Sequence, residues 1–216
     1  MGQAIEEKTN RLLDATRSIV PEDLQWMALE RSHLPAPLAA FELLQEHELD
    51  NETMAEQAFK GRTADSLAEL GRITGYSREF VVPQGASTFA EEPAEVLQAA
   101  TVVHLFDQPE SVSRWIDDVF VRDFRGKVGQ EEAGGQRITG VEVLEASGFH
   151  DHAASLLVVH DVPGGTLSST IVDFRVGRLL GVAYVACKGD RAELDLAREL
   201  GLALERQIVR VILGAA

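Results

Sequence analysis

Two stretches of this chain, LLVV (156–159) and LLGVAYVA (179–186), are apolar at every position. Successive side chains of a strand point to opposite faces of its sheet, so runs like these belong at the centre of a sheet covered on both sides. The surrounding pattern agrees. Strands are expected in GRITGYSREFVV (71–82), VLQAATVVHLF (96–106), TGVEVLEA (139–146), AASLLVVHDV (153–162), TLSSTIVDFRV (166–176) and LLGVAYVAC (179–187). The PGG at 163–165 and the Gly177-Arg178 pair read as tight turns, with Gly177 and Gly165 the positions expected to need a positive φ.

Helical signals alternate with these strands. Val112, Trp115, Ile116, Val119, Phe120 and Phe124 recur at helical spacing, as do Leu194, Ala197, Gly201, Leu204, Ile208 and Val211. Each helix follows a strand through an Asp-x-x-Glu sequence (Asp107/Glu110 and Asp190/Glu193) that reads as a capping box. Gly201 would let the long C-terminal helix approach the sheet closely. The plan strand–strand–helix thus occurs at 71–125 and again at 166–213. Short helices are expected in DNETMAEQAF and in TADSLAEL, the latter ended by Gly71. Upstream, Ile5, Leu12, Leu13, Ile19 and Val20 sit at helical spacing until Pro21, PEDLQWMALER starts a second short helix, and HLPAPLAAF is expected to be extended around its prolines. The sequence therefore describes an α+β fold: an antiparallel sheet of about six strands covered by two main helices, in two ββα units. Residues 1–33 form an N-terminal helical arm and 34–216 the α+β domain.

A chain of 216 residues buries roughly 70% of its unfolded surface without needing a disulfide or metal staple. The formal net charge of −15 repels phosphate backbones and anionic membranes, so nucleic acid is not an expected partner. The tight basic cluster Arg122, Arg125 and Lys127 is followed at once by Glu131 and Glu132 and reads as a solvated helix end. The single cysteine, Cys187, lies in an apolar run and reads as a buried structural thiol. No apolar run reaches the ~18 residues of a transmembrane helix, and the first residues lack the basic and hydrophobic regions of a signal peptide.

The stretch SGFHDHAASLLVVHDVPGG (147–165) gathers three of the six histidines. On a strand, His150 and His152 would face the same way about 7 Å apart and could chelate a metal. His160 lies roughly 26 Å further along an extended chain and cannot join them. His104 and Asp173 are the other candidate ligands, and neither sits in a ligand motif. The simpler reading is a turn whose polar side chains stand at the mouth of a buried strand. Adjacent Asp117 and Asp118 do not share a helix face and read as a solvated pair, while Trp26 and Trp115 read as apolar anchors. There is no Gly-x-Ser-x-Gly elbow, no phosphate loop and no catalytic constellation; no cofactor is expected, and no ligand-binding residue is named by the sequence.

LAELGRITGYSREF, GFHDHA, VDFRVGRLLGVAYV and LARELGLALERQI together resemble a group of bacterial exported or lipoprotein-like domains, of the PsbP/Mog1 sandwich type. The matching residues are Gly71, Arg72, Gly75 and Tyr76 in the first element, Asp151 and Ala153 in a turn, Phe174, Arg175 and Gly177 in a hairpin, and Leu196 and Ala197 in the last helix. His150 and His152 depart from the pattern, which has glycine and an acidic residue there. The resemblance implies an antiparallel sheet between helices and an extracytoplasmic or cell-envelope location, against a cytoplasmic one if the N-terminus is native. It implies no activity. The expectation is a non-enzymatic ligand-binding or sensing module. The alternatives are a self-associating structural protein using Leu12, Leu13, Ile19, Trp26 and Met27 of the arm, and a metal-dependent hydrolase using His150 and His152.

Overall fold

The computed structural model describes residues 13–57, 61–83, 96–130 and 136–214. Ile5 and Leu12 of the arm, Gly85 and Pro93 between the first two expected strands, and Glu131 and Glu132 lie outside them. Seven strands form one antiparallel sheet in the order β1-β2-β3-β7-β6-β5-β4: β1 (Glu42–Glu48), β2 (Arg72–Val81), β3 (Val96–Phe106), β4 (Arg137–Leu144), β5 (Ala153–Val162), β6 (Gly165–Val176) and β7 (Leu179–Lys188). The two runs apolar on both faces, in β5 and β7, are interior strands, and β7 occupies the centre. Strand β1 is an addition to the expected six. Its ELLQEHE is almost wholly exposed, because an edge strand with one uncovered face needs no apolar alternation.

Residues of even and odd number on each central strand serve different layers. On the first face Ala99, Val103 and Leu105 of β3, Val172 and Phe174 of β6, and Ala183 and Val185 of β7 pack with Ala197, Leu200, Leu204 and Ile208 of the C-terminal helix. Leu24, Met27, Leu29, Leu34 and Leu38 complete the same core, and the first three are 0–1% exposed. They come from a short helix α1 (Leu24–Met27) and the turns around it. Between Leu34 and Phe41 the chain is extended for two residues and then makes a 3-10 turn at Ala36–Leu38, where the prolines alone suggested extension throughout; Pro37 fits the first turn of such a helix, where no N–H is required.

The second face is covered by α2 (Asn51–Gln57), α3 (Ala64–Glu69) and a helical rod of three consecutive pieces: α4 (Pro109–Arg114), a π-helical turn (Trp115–Phe120) and α5 (Val121–Gly126). The rod buries Val112 and Ile116 against Phe106 and Leu180, and Phe120 against Ile138, Leu156 and Val158. The long C-terminal helix, α6 (Leu194–Ile212), and this rod are the two main helices.

Neither expected capping box forms. The rod begins at Pro109 after an extended Gln108, and Asp107 instead accepts a bond from the Ser111 hydroxyl at 2.7 Å. Helix α6 begins at Leu194, and the N–H of Glu193 is met by the Thr170 hydroxyl of β6 at 2.9 Å. In the second case the sheet supplies the acceptor that local sequence was expected to supply. The glycines behave as read: Gly177 and Gly165 have positive φ (59° and 152°), and a Cβ at Gly201 would stand 2.9 Å from the Phe149 ring and 3.5 Å from Ala183 Cβ.

Candidate functional site

Helices α2 and α3 stand beside the rod and leave an apolar cleft of about 210 Å³. Met54 and Gln57 come from α2, Leu67 from α3, and Trp115, Val119, Phe120 and Phe124 from the rod; Arg62 and Asp123 are the charged residues of its lining. The rod's part of this wall comes from its π-helical turn and α5. The turn's i→i+5 bonding spans Trp115–Phe120, of which Ile116, Val119 and Phe120 are buried. Arg62 donates through Nε (3.1 Å) and Nη2 to Asp123 Oδ2, and its guanidinium lies 5.8 Å from the centre of the Trp115 ring.

Trp115 also joins the cleft to a polar layer beneath it. Its indole N–H donates to Asp173 Oδ2 of β6 at 3.2 Å, and its ring meets Phe106 edge-on at 5.9 Å. Asp173 is 2% exposed, and burial pushes its pKa up to about 8 against the opposing effect of the Trp115 bond, so it is protonated at neutral pH. The neighbouring His104 of β3, 6.5 Å from Trp115 ring to ring, is held well below the ordinary imidazole range by burial and by the Arg72 charge.

Arg72 is itself 2% exposed, and its pKa is lowered to about 10 by desolvation. Its Nε donates to His104 Nδ1 (3.2 Å), Nη1 to Asn51 Oδ1 (2.5 Å) and Nη2 to the Leu49 carbonyl (2.5 Å). His104 therefore carries its proton on Nε2. Asn51 in turn donates to the Arg72 carbonyl at 3.1 Å, tying the start of α2 to β2. The space for this stack comes from Gly75, where a Cβ would stand 2.7 Å from His104 Nδ1 and 2.9 Å from Arg72 Nη2. The GRITGY sequence thus builds a buried guanidinium platform under one end of the cleft's helices.

The histidine-rich stretch lies elsewhere. His150 and His152 precede β5 on a bend, so the strand geometry that would align them does not apply. His152 Nε2 is 2.6 Å from Asp117 Oδ1, and the His150 backbone N–H donates to Glu205 Oε1 of α6 at 2.9 Å. Asp151 forms a two-pronged pair with Arg175 (2.9 Å each). Among the described residues no group of three or more His, Cys, Asp or Glu side chains is placed to hold a metal ion. Asp173 and His104 face the rod and Arg72, not the histidine pair. Cys187 is buried, 3.3 Å from the Ser168 hydroxyl, and desolvation raises its thiol pKa. Trp26 is 59% exposed on α1, whereas Ile19 and Met27 of the same arm are buried. Of two larger depressions, one of about 720 Å³ beside Arg178 is lined largely by charged side chains (Asp14, Arg17, Asp107, Glu110, Arg178), and one of about 610 Å³ beside Trp26 has a mixed lining.

No family model and no curated protein matches the chain. Among solved structures, the extracellular domain of PknH from Mycobacterium tuberculosis is similar at a TM-score of 0.57 and 10% identity, over 89% of this chain and 97% of that one. A Rv0999 orthologue of Mycobacterium smegmatis, an uncharacterised protein, is similar at a TM-score of 0.44 and 13% identity, over 84% and 93%. The likeness to the first extends the whole α+β architecture to a bacterial extracellular domain. No helix among the described residues is long and apolar enough to cross a membrane.

Proposed function

We propose that this protein is a non-enzymatic small-molecule-binding module of a bacterial sensing system, acting outside the cytoplasm, and that its ligand enters the cleft between α2, α3 and the rod. The observation that carries the reading is the cleft itself: a partly open apolar groove with the Arg62–Asp123 pair among its lining residues and a π-helical turn forming one wall. Apolar pockets with few polar groups are the usual form of small-molecule sites, and π-turns concentrate at functional positions. The fold likeness to an extracellular domain supports the compartment, and the sandwich resemblance in the sequence agrees with it. The buried Arg72 platform anchors α2 and leaves ligand exchange to the surface helices.

Native mass spectrometry of the purified chain, with thermal-shift screening of an apolar compound library, tests this. A retained or added compound that raises the melting temperature of the parent, but not of a Met54→Trp variant with a filled cleft, supports the reading. Ligands whose effect survives Met54→Trp would move the site elsewhere.

A further inference from the structure

The cleft's chemistry narrows the ligand class, a narrowing that rests on the cleft being the binding site. Three of its nine lining residues are aromatic (Trp115, Phe120, Phe124) in a chain that is 6% aromatic overall, and Met54 adds a polarizable thioether. Phe120 and Phe124 meet edge-to-face, 5.7 Å apart at 87°, the arrangement in which aromatic rings attract one another. The face of Trp115 is occupied by a flat guanidinium.

Size and charge add two further limits. A cavity of about 210 Å³ exceeds the ~150 Å³ that accommodates one benzene ring and falls short of the ~300 Å³ where drug-sized pockets begin. The two charged lining residues, Arg62 and Asp123, neutralise each other, with side chains 18% and 26% exposed. A charged ligand could gain a counter-ion here only by taking Arg62 or Asp123 from its partner in a partly desolvated setting, whereas an uncharged one leaves the pair intact. The indole N–H is committed to Asp173, leaving Gln57 as the uncharged polar group at the rim.

We propose that the cleft binds an uncharged, planar aromatic molecule of one or two rings, seated among Met54, Leu67 and the edge of Trp115 with the Arg62–Asp123 pair intact above it and any polar substituent at the Gln57 rim.

The chain has two tryptophans, so Trp26→Phe on the exposed face of α1 leaves Trp115 as the sole indole. In the ¹⁵N-labelled full chain carrying that change, the Trp115 indole N–H resonance is followed on titration with 2-naphthol, with its saturated analogue decahydro-2-naphthol, and with naphthalene-2-carboxylate and 2-naphthylmethylamine. The expected result is a saturable shift with 2-naphthol, affinity at least threefold weaker for the saturated analogue, and at least tenfold weaker for both charged ones. The shift should vanish when the cleft is filled by Met54→Phe or, from the opposite wall, by Val119→Phe, each of which keeps Trp115 the sole indole and is checked for a native amide spectrum. Equal binding of the saturated or a charged analogue, still abolished by filling, would overturn the ligand class while leaving the cleft as the site. If no probe moves the indole resonance, both the ligand class and the cleft as a binding site fail.

Discussion

Asp173 carries a definite pH consequence. Its carboxyl titrates at about 8 in the fold against an ordinary value of 3.8, so the folded chain holds a proton that the unfolded chain releases. The stability this contributes is present in full below about pH 3.8 and is lost as pH rises toward 8, at up to ~1.4 kcal/mol per pH unit. Asp173→Asn removes the titration and keeps an acceptor for Trp115. Urea unfolding at pH 5, 6.5 and 8 should show the variant gaining on the parent by a few kcal/mol across that range; parallel pH profiles would refute the assignment. A second expectation concerns Gly75. Its replacement by Ala pushes a methyl into the Arg72–His104 stack from both sides, and thermal or chemical denaturation should read a loss of roughly 2 kcal/mol. At this scale the sequence was partly legible. Gly71, Arg72, Gly75 and Tyr76 stood out as a structural motif, yet nothing local said that Arg72 would be desolvated, because its partners Leu49, Asn51 and His104 come from other elements. An aspartate inside the apolar run IVDFRV was the available signal for a buried neutral acid, and Arg62 carried no signal at all.

Elements were legible where burial is one-sided and periodic, and less so where it is not. The two main helices and six strands follow from spacing, whereas β1 lacks a buried face and left no periodicity to read. The α6 capping box was misread for a tertiary reason, since Thr170 of the sheet answers that terminus, and the rod's for a local one, since Ser111 engages Asp107. The arm offers the sharpest test. Leu24, Met27 and Leu29 are fully buried with α6 and β3, and the Leu29 N–H donates to the Thr101 hydroxyl at 3.3 Å. Deleting residues 1–33 should therefore abolish cooperative unfolding, read by calorimetry, and Met27→Ala alone should cost about 2–5 kcal/mol. A truncated chain that melts as sharply as the parent would show that the arm is dispensable to this core.

For the whole molecule, the hairpins β4-β5-β6-β7 were foreseeable from turns, but the joining of β3 to β7 was not. That contact spans some eighty residues, and it places the last strand made at the middle of the sheet. Hydrogen exchange should accordingly be slowest in β3, β7 and β6 and fastest in β1 and β4, whose outer edges have no neighbour in the sheet. Protection of β1 equal to that of β7 would contradict this layering. The same arrangement bears on how the protein is made. Until residues 179–188 have left the ribosome, β3 and β6 each present an unpaired edge and no continuous core exists, so the nascent chain holds two half-sheets waiting for one strand. The sheet therefore becomes continuous only when the seventh strand emerges, and a chain cut short before residue 179 is left with two exposed edges through which copies can adhere.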